Sequence, residues 1–463
     1  MLPTAVRDYI SAHDQDFIAR LLTFLRFPSI ANIAAASDGS DACIDCANWL
    51  QQQLASLGFD AAVVDNPGGK PNVIAHWHHH AHAPTVMLYG HYDVQPPEPL
   101  APWLNPPFQP QIRDGNIYAR GANDNKGQFF AHLMAVEAWL KGHGELPVNI
   151  TIFAEGEEEI GSPQLETFIR THAQLLQADI CLISDSEFFA ADCPSITYSL
   201  RGLAYIELTL TGARADAHSG IHGGALQNPI NALACMIAGM HDANGAVTLE
   251  GFYDDVLPLD ENERRAWQSL PFSLPDYAAS LGVPCLSGGE HKYSVLERRW
   301  ARPTLDCNGI IGGYTEAGSK TIIPASATAK ISMRLVAHQD PARQVAAFRR
   351  YVETHTPAGF TADIQVFSTA NPLFVDPDSP LIQAAARAYV TGFAKSPSLI
   401  RCGASIPVAE TMQRLLKLQP VLMGLGLPDD NLHSPNEKFS LQQLRNGAVT
   451  IAAMLTEIAD GTP

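Results

Sequence analysis

Cysteine is scarce in this sequence: eight residues in 463 cannot build the disulfide framework that replaces a core in small secreted domains. The thiols are therefore expected to be reduced. Basic residues are also few, with 30 Lys and Arg against 48 Asp and Glu and a formal charge of −18. No cationic cluster is present to displace counterions from phosphates, which excludes a nucleic-acid binder. Long uncharged apolar runs are missing, so no membrane span is expected. The opening Met1-Leu-Pro-Thr lacks the basic and apolar regions of a signal peptide, and a cytoplasmic protein is the expectation.

What is present is an ordinary globular composition, 46% hydrophobic and 17% charged. The length exceeds what a single core organises, so two domains are expected. Amphipathic patterns over Thr4 to Leu25 and Asp41 to Leu57 predict two helices, after which strands and helices alternate up to about Ser199, the rhythm of an α/β domain. The runs Val86 to Tyr89, Val148 to Phe153 and Ile180 to Ile183 suit buried strands. A helix over Lys126 to Lys141 places Phe129, Leu133, Val136 and Leu140 on one face. From Arg201 the order becomes alternating strand, helix near Asn228 to His241, strand Ala327 to Val336, helix Pro341 to His355 and strand Thr361 to Phe367, which fits a small α+β domain. The Pro- and Gly-dotted stretch Asp242 to Asp306 has no assignment. After Asn371-Pro372 the α/β rhythm returns through a helix Leu381 to Val390, a strand Pro420 to Met423 and a closing helix to about Ile458. The simplest organisation is a catalytic domain over 1–200 and 372–463, interrupted by an inserted domain over 201–371.

Two tempting metal motifs have plainer readings. Cys43 and Cys46 have CxxC spacing, but with Leu50, Leu54 and Leu57 they fall on one apolar helical stripe, which places the sulfurs in the core. The His-rich stretch Trp77 to His82 lies between two expected strands and reads as a solvated loop.

In open α/β sheets the working crevice forms beyond the carboxyl ends of the strands. The residues that follow the expected strands are Gly90-His91-Tyr92-Asp93, Glu155 to Glu159, Asp185 and Asp429 to His433, while Asp124 precedes the helix at Lys126. A crevice lined by His91, Asp124, Glu158, Glu159, Asp185 and His433 would repel itself unless cations neutralised it. Imidazole and carboxylate without thiolate suit a catalytic zinc site, with manganese or cobalt as substitutes. The two-residue spacing lets Asp93 hydrogen-bond the His91 ring. Of the adjacent pair Glu158 and Glu159, one can bind metal while the other faces a reacting water, and spacing does not say which. In the strand ending at Val336, Ile331, Met333 and Leu335 share one face, which leaves Arg334 on the other with a fork suited to a carboxylate.

The motifs Tyr89-Gly-His-Tyr-Asp-Val-Gln-Pro96, Arg120-Gly-Ala-Asn-Asp-Asn-Lys-Gly127, Glu155-Gly-Glu-Glu-Glu-Ile-Gly-Ser162, Ile183-Ser-Asp185 and His433-Ser-Pro-Asn-Glu-Lys438 resemble, in order, the metal-site motifs of the M20 metallopeptidases. The resemblance implies a zinc-exopeptidase-like catalytic domain with a mixed central sheet and an inserted α+β lid and dimerisation domain. It implies two divalent ions, most simply Zn2+, with Asp124 bridging them, His91 and Asp185 completing one site and Glu159 and His433 the other. Glu158 becomes the general base and Asp93 the carboxylate behind His91. Lys320 to Pro324, Ser332 to Val336 and Ser405 to Val408 are similar to the carnosinase-like cytosolic dipeptidases. That likeness implies His218 as an oxyanion donor reaching a partner subunit's site, with Arg334, Ser405 and Thr321 as substrate contacts. Cys402 and Ala404 depart from the Glu and Gly common there, and Phe367 to Pro372 lacks a histidine found in carnosine-cleaving members.

The expected reaction is hydrolysis of the amide bond of dipeptides or other very short peptides by a water bridging the two ions, in a homodimer. Two alternatives carry different tests: an N-acyl amino acid deacylase or desuccinylase using the same machinery, and a catalytically silent binding protein.

Overall fold

The computed structural model describes residues 1–33, 41–404 and 406–461. The chain divides into two compact units, one comprising Met1–Tyr198, Val375–Ile400 and Pro407–Pro463, the other Ser199–Phe374 and Arg401–Ile406.

The first unit is organised by a mixed sheet. From one edge its strands run Asp60–Val64, Asn72–Trp77, Asn149–Glu155, Thr85–His91, Ile180–Ile183, Gln419–Leu422 and then Ser195–Leu200. The four from Asn149–Glu155 to Gln419–Leu422 are mutually parallel, and the strands flanking them are antiparallel. All four have every residue buried apart from, at most, the first position, which is why they read as continuous apolar runs rather than alternating ones. Helix Lys126–Ala138 is buried along its whole length. It packs against the strand Thr85–His91 and the helices Thr4–Ala12, Asp14–Phe24 and Leu441–Gly461, so the single apolar face expected from its sequence is replaced by burial on all sides.

Two local details differ from the sequence reading. The expected first helix is two helices, Thr4–Ala12 and Asp14–Phe24, broken at His13. The His13 ring stacks on Tyr9 at 3.8 Å, and Asp14 and Asp16 enter the first turn of the second helix, where carboxylates complement the positive end of the helix dipole. Helix Lys126–Ala138 gives way to a wider turn over Trp139–His143, closed by Gly144 in the left-handed region. Cys43 and Cys46 lie in the core, and burial pushes the Cys43 thiol up to about 12. Each of three histidines in the His-rich region meets its own acceptor or donor: His76 the Leu175 carbonyl, His78 the Thr151 hydroxyl and His80 the Leu146 carbonyl. They form no common ligand set.

The second unit holds a four-stranded antiparallel sheet in the order Thr304–Gly312, Ser326–Leu335, Gly202–Thr211, Thr361–Ala370. Helices Pro229–Gly239 and Pro341–His355 pack on it through a cluster that includes Leu233, Met236, Phe348 and Tyr351. The stretch unassigned from sequence contains helices Glu261–Gln268, Leu274–Ser280 and Val295–Trp300. Each starts on an Asp or Ser whose side chain accepts a backbone N–H of the first turn, a local cap that lets a short helix stand.

Candidate metal centre

The parallel strands deliver the side chains. Strand Thr85–His91 ends in His91, and its neighbour Asn149–Glu155 is followed by a tight turn over Glu158–Ile160. Asp185 comes two residues after Ile180–Ile183. His433 arrives from the loop beyond Gln419–Leu422, with φ of 58°. Gly90 is dictated by packing, because a Cβ there would enter the Phe129 ring of helix Lys126–Ala138. That contact seats the helix against the strand, and Asp124 lies just before its first turn.

Asp124 is the centre of the arrangement. Its Oδ1 is 3.1 Å from His91 Nε2, and its Oδ2 is 2.9 Å from His433 Nε2. On the first side Asp185 Oδ1 lies 3.9 Å from His91 Nε2; on the second, Glu159 Oε2 lies 3.3 Å from His433 Nε2. Ligand atoms of His91, Asp124 and Glu159 all fall within 4.8 Å of one another, the one such group of three among the described residues. The structure thus gathers His91, Glu159, Asp185 and His433, far apart in sequence, around Asp124.

Asp93 reaches further than the sequence suggested. Its Oδ1 is 3.3 Å from His91 Nδ1, and its two oxygens also accept the backbone N–H groups of Glu158 at 3.2 Å and Glu159 at 3.0 Å. Asp93, fully buried, therefore fixes the glutamate turn through its carboxylate and meets the imidazole through both that carboxylate and its main-chain carbonyl, the latter at 3.1 Å.

The electrostatics are those of a crowded acidic crevice. Burial, with His91 opposing and Asp185 and Asp124 adding, raises the Glu158 carboxyl well above the ordinary range. Burial and the nearby Asp124 push Asp185 up to about 7. For His91 burial opposes the charged form, yet hydrogen bonds to Asp124 and Asp93 carry it well above the usual imidazole value. Hydrogen bonds to Asp124 and Glu159 push His433 up to about 10. Protons thus take the places that positive charge requires. Two imidazoles and a surplus of carboxylates, with no thiolate, form a donor set that fits divalent ions of the zinc, manganese or cobalt type.

Three participants went unnoticed in sequence although they lie inside the quoted motifs. Asn125 donates to Asp185 Oδ1 at 3.0 Å and to the Ser184 carbonyl at 2.6 Å. Gln95 donates to Glu159. Glu437, fully buried, accepts from Arg120 Nη1 at 2.8 Å and from the backbone N–H groups of Gly121, Asn123 and Asp124 at 2.9, 2.9 and 3.0 Å. It shapes the loop that presents Asp124.

The remaining sequence candidates belong to the second unit. His218 sits in a short ribbon, Ala217–His218 against Ile322–Ile323, and Ser219 N–H donates to the Thr321 carbonyl at 3.1 Å, so His218 and Thr321 are neighbours. The His218 Nδ1 accepts the Gly220 N–H. Arg334 lies in Ser326–Leu335, half-buried, while Ile331, Met333 and Leu335 are buried. Ser405 lies outside the described residues.

A mixed α/β sheet with two imidazoles and several carboxylates gathered beyond its parallel strands has the make-up of a metal-dependent hydrolase. The chain belongs to Peptidase family M20/M25/M40, whose family model matches residues 87–457. Human Beta-Ala-His dipeptidase is 34% identical over 81% of this chain and 75% of its own. The Cys-Gly metallodipeptidase of Candida albicans is 31% identical over 97% of this chain and 96% of its own. Among solved structures, an M20 family metallo-carboxypeptidase of Sulfolobus solfataricus superimposes with a TM-score of 0.83 at 31% identity, covering 96% of this chain and 99% of that one.

Proposed function

We propose that the protein hydrolyses the amide bond of dipeptides or other very short peptides in a cleft holding two divalent ions, most simply Zn2+. The observation that carries this reading is the sharing of Asp124 between His91 on one oxygen and His433 on the other. Dipeptidases of two named specificities among the relatives, Beta-Ala-His and Cys-Gly, support a short substrate with a free carboxylate.

When bound, the two ions supply Lewis acidity and lower the pKa of a water toward neutrality. Glu158 stands on a turn whose backbone N–H groups Asp93 holds. It removes the proton from the attacking water and returns it to the leaving amine. By likeness to the carnosinase-like dipeptidases, His218 serves as the oxyanion donor in a partner subunit's site, and Arg334, Thr321 and Ser405 are the contacts for the substrate carboxylate, which confines cleavage to short chains. The working form in this reading is a cytoplasmic homodimer through the second unit; no helix among the described residues is long and apolar enough to cross a membrane.

The test is a mass-spectrometric screen of zinc- and manganese-loaded protein on a dipeptide panel beside acetyl- and succinyl-amino acids. Turnover of dipeptides alone is the expected result. Turnover of the acyl compounds alone would replace the reading with a deacylase.

A further inference from the structure

The segment that leaves strand Thr85–His91 presents His91, Asp93 and Gln95 toward the same cluster, two residues apart, while the intervening Tyr92 and Val94 are buried elsewhere. His91 meets Asp124, and Asp93 takes the backbone N–H groups of Glu158 and Glu159. Gln95 makes the third contact. Its side-chain amide nitrogen donates to Glu159 Oε2 at 2.8 Å and to the Glu159 main-chain carbonyl at 3.1 Å. Both partners are acceptors, so the orientation of the amide follows from them.

A single NH2 group that spans the carboxylate and the carbonyl of one residue closes a ring through that residue's own side chain. Glu159 has three side-chain torsions, and a free glutamate disperses its carboxylate over many rotamers. The Gln95 bridge removes that freedom before any ion arrives and leaves Glu159 Oε2 at 3.3 Å from His433 Nε2. Hydrogen bonds of this kind to a ligating carboxylate set its direction and change metal affinity about 10- to 100-fold when lost.

We propose that Gln95 is a positioning residue for Glu159 and sets the affinity of the ion shared by Glu159 and His433, leaving the ion of His91 and Asp185 unaffected. Apart from the His433 ring at 3.3 Å, which an ion between the two would replace, Gln95 is the side-chain donor on Glu159 among the described residues, whereas Asp185 has its own in Asn125. The two ions are therefore tuned by separate amides, Gln95 for one and Asn125 for the other. The inference rests on the two-ion reading.

The test is titration of the metal-free full chain with Zn2+ against a chromophoric chelator, and with Co2+ followed by visible absorption. The chains compared are wild type, Gln95→Met, which keeps the length and removes the donor, and Glu159→Ala, which marks the step belonging to Glu159. Gln95→Met is expected to weaken the same step that Glu159→Ala abolishes, by about 10-fold or more, and to leave the other step within twofold. At saturating metal kcat should be restored with KM unchanged. Equal weakening of both steps, or of neither, would overturn the role of Gln95. A wild-type chain that took up a single ion would overturn the two-ion reading alone, since the affinity ratio of Gln95→Met to wild type still decides what Gln95 does.

Discussion

At the scale of single residues, the adjacent glutamates pose a sharp question, because neighbours on one turn are assigned different work. Asp93 holds both backbone N–H groups, so either side chain can be shortened without releasing the turn. Glu159→Ala removes an oxygen that lies 3.3 Å from His433 and is expected to cost one ion per chain. Glu158→Ala is expected to keep both ions and lose about 10²- to 10⁴-fold in kcat, the usual worth of a positioned proton carrier. Elemental analysis of both variants beside steady-state kinetics decides it: matching metal contents would refute the division of labour. The same scale shows where the sequence was opaque. His91, Asp185 and His433 stand out as strong ligand types beyond strands, and Asp124 at a helix start, but Glu437 serves a loop 317 positions away. Its meaning exists only once the two segments are folded together, and no local pattern distinguishes it from a solvated acid.

At the scale of elements, the site depends on how closely helix Lys126–Ala138 lies on strand Thr85–His91. Gly90 permits the approach, and the Phe129 ring fills the space a side chain would need. Gly90→Ala is expected to destabilise the protein by about 1–3 kcal/mol, the range for overpacking a tight core. Combining it with Phe129→Leu should recover part of that loss, because the two positions share one volume. Denaturant unfolding of the two single variants and the double variant measures the coupling, and strictly additive losses would contradict it. Periodicity made most elements legible, including helix Pro341–His355 and strand Ile180–Ile183 at the bounds read from sequence. It failed where tertiary contacts overrode it. Helix Lys126–Ala138 is covered on every side, so its polar positions, such as Gln128 and His132, are buried against Asn123 and Ser184 instead of marking a wet face. The three short capped helices between Asp260 and Ala301 carry too few turns for a period to emerge.

At the scale of the whole molecule, the converging carboxylates tie stability to metal. Ions that bind the folded chain and not the unfolded one stabilise it by about 2.7 kcal/mol at a hundredfold excess over Kd. Chelation is therefore expected to lower the melting temperature, and added Zn2+ to restore it. The size of the shift should depend on pH in a definite sense. In the metal-free chain His433 keeps its proton below about 10 and Asp185 below about 7. Entering ions displace the His91 and His433 protons at either pH and the Asp185 proton in acid alone, so the metal-induced stabilisation shrinks as pH falls from 8 to 6. Thermal melts with and without chelator at the two values check this, and an equal shift at both would contradict it.

The ligands also impose an order in time. His91 and Asp124 leave the ribosome before the second unit, whereas His433 and the buried Glu437 emerge only after all of it. Until then the half-made cleft is an anionic hollow without its last imidazole, and premature chelation of stray cations by nascent chains meets an incomplete set. Activation is thus deferred: a peptidase assembled this way is expected to stay idle until the segment beyond its second unit has emerged and folded back.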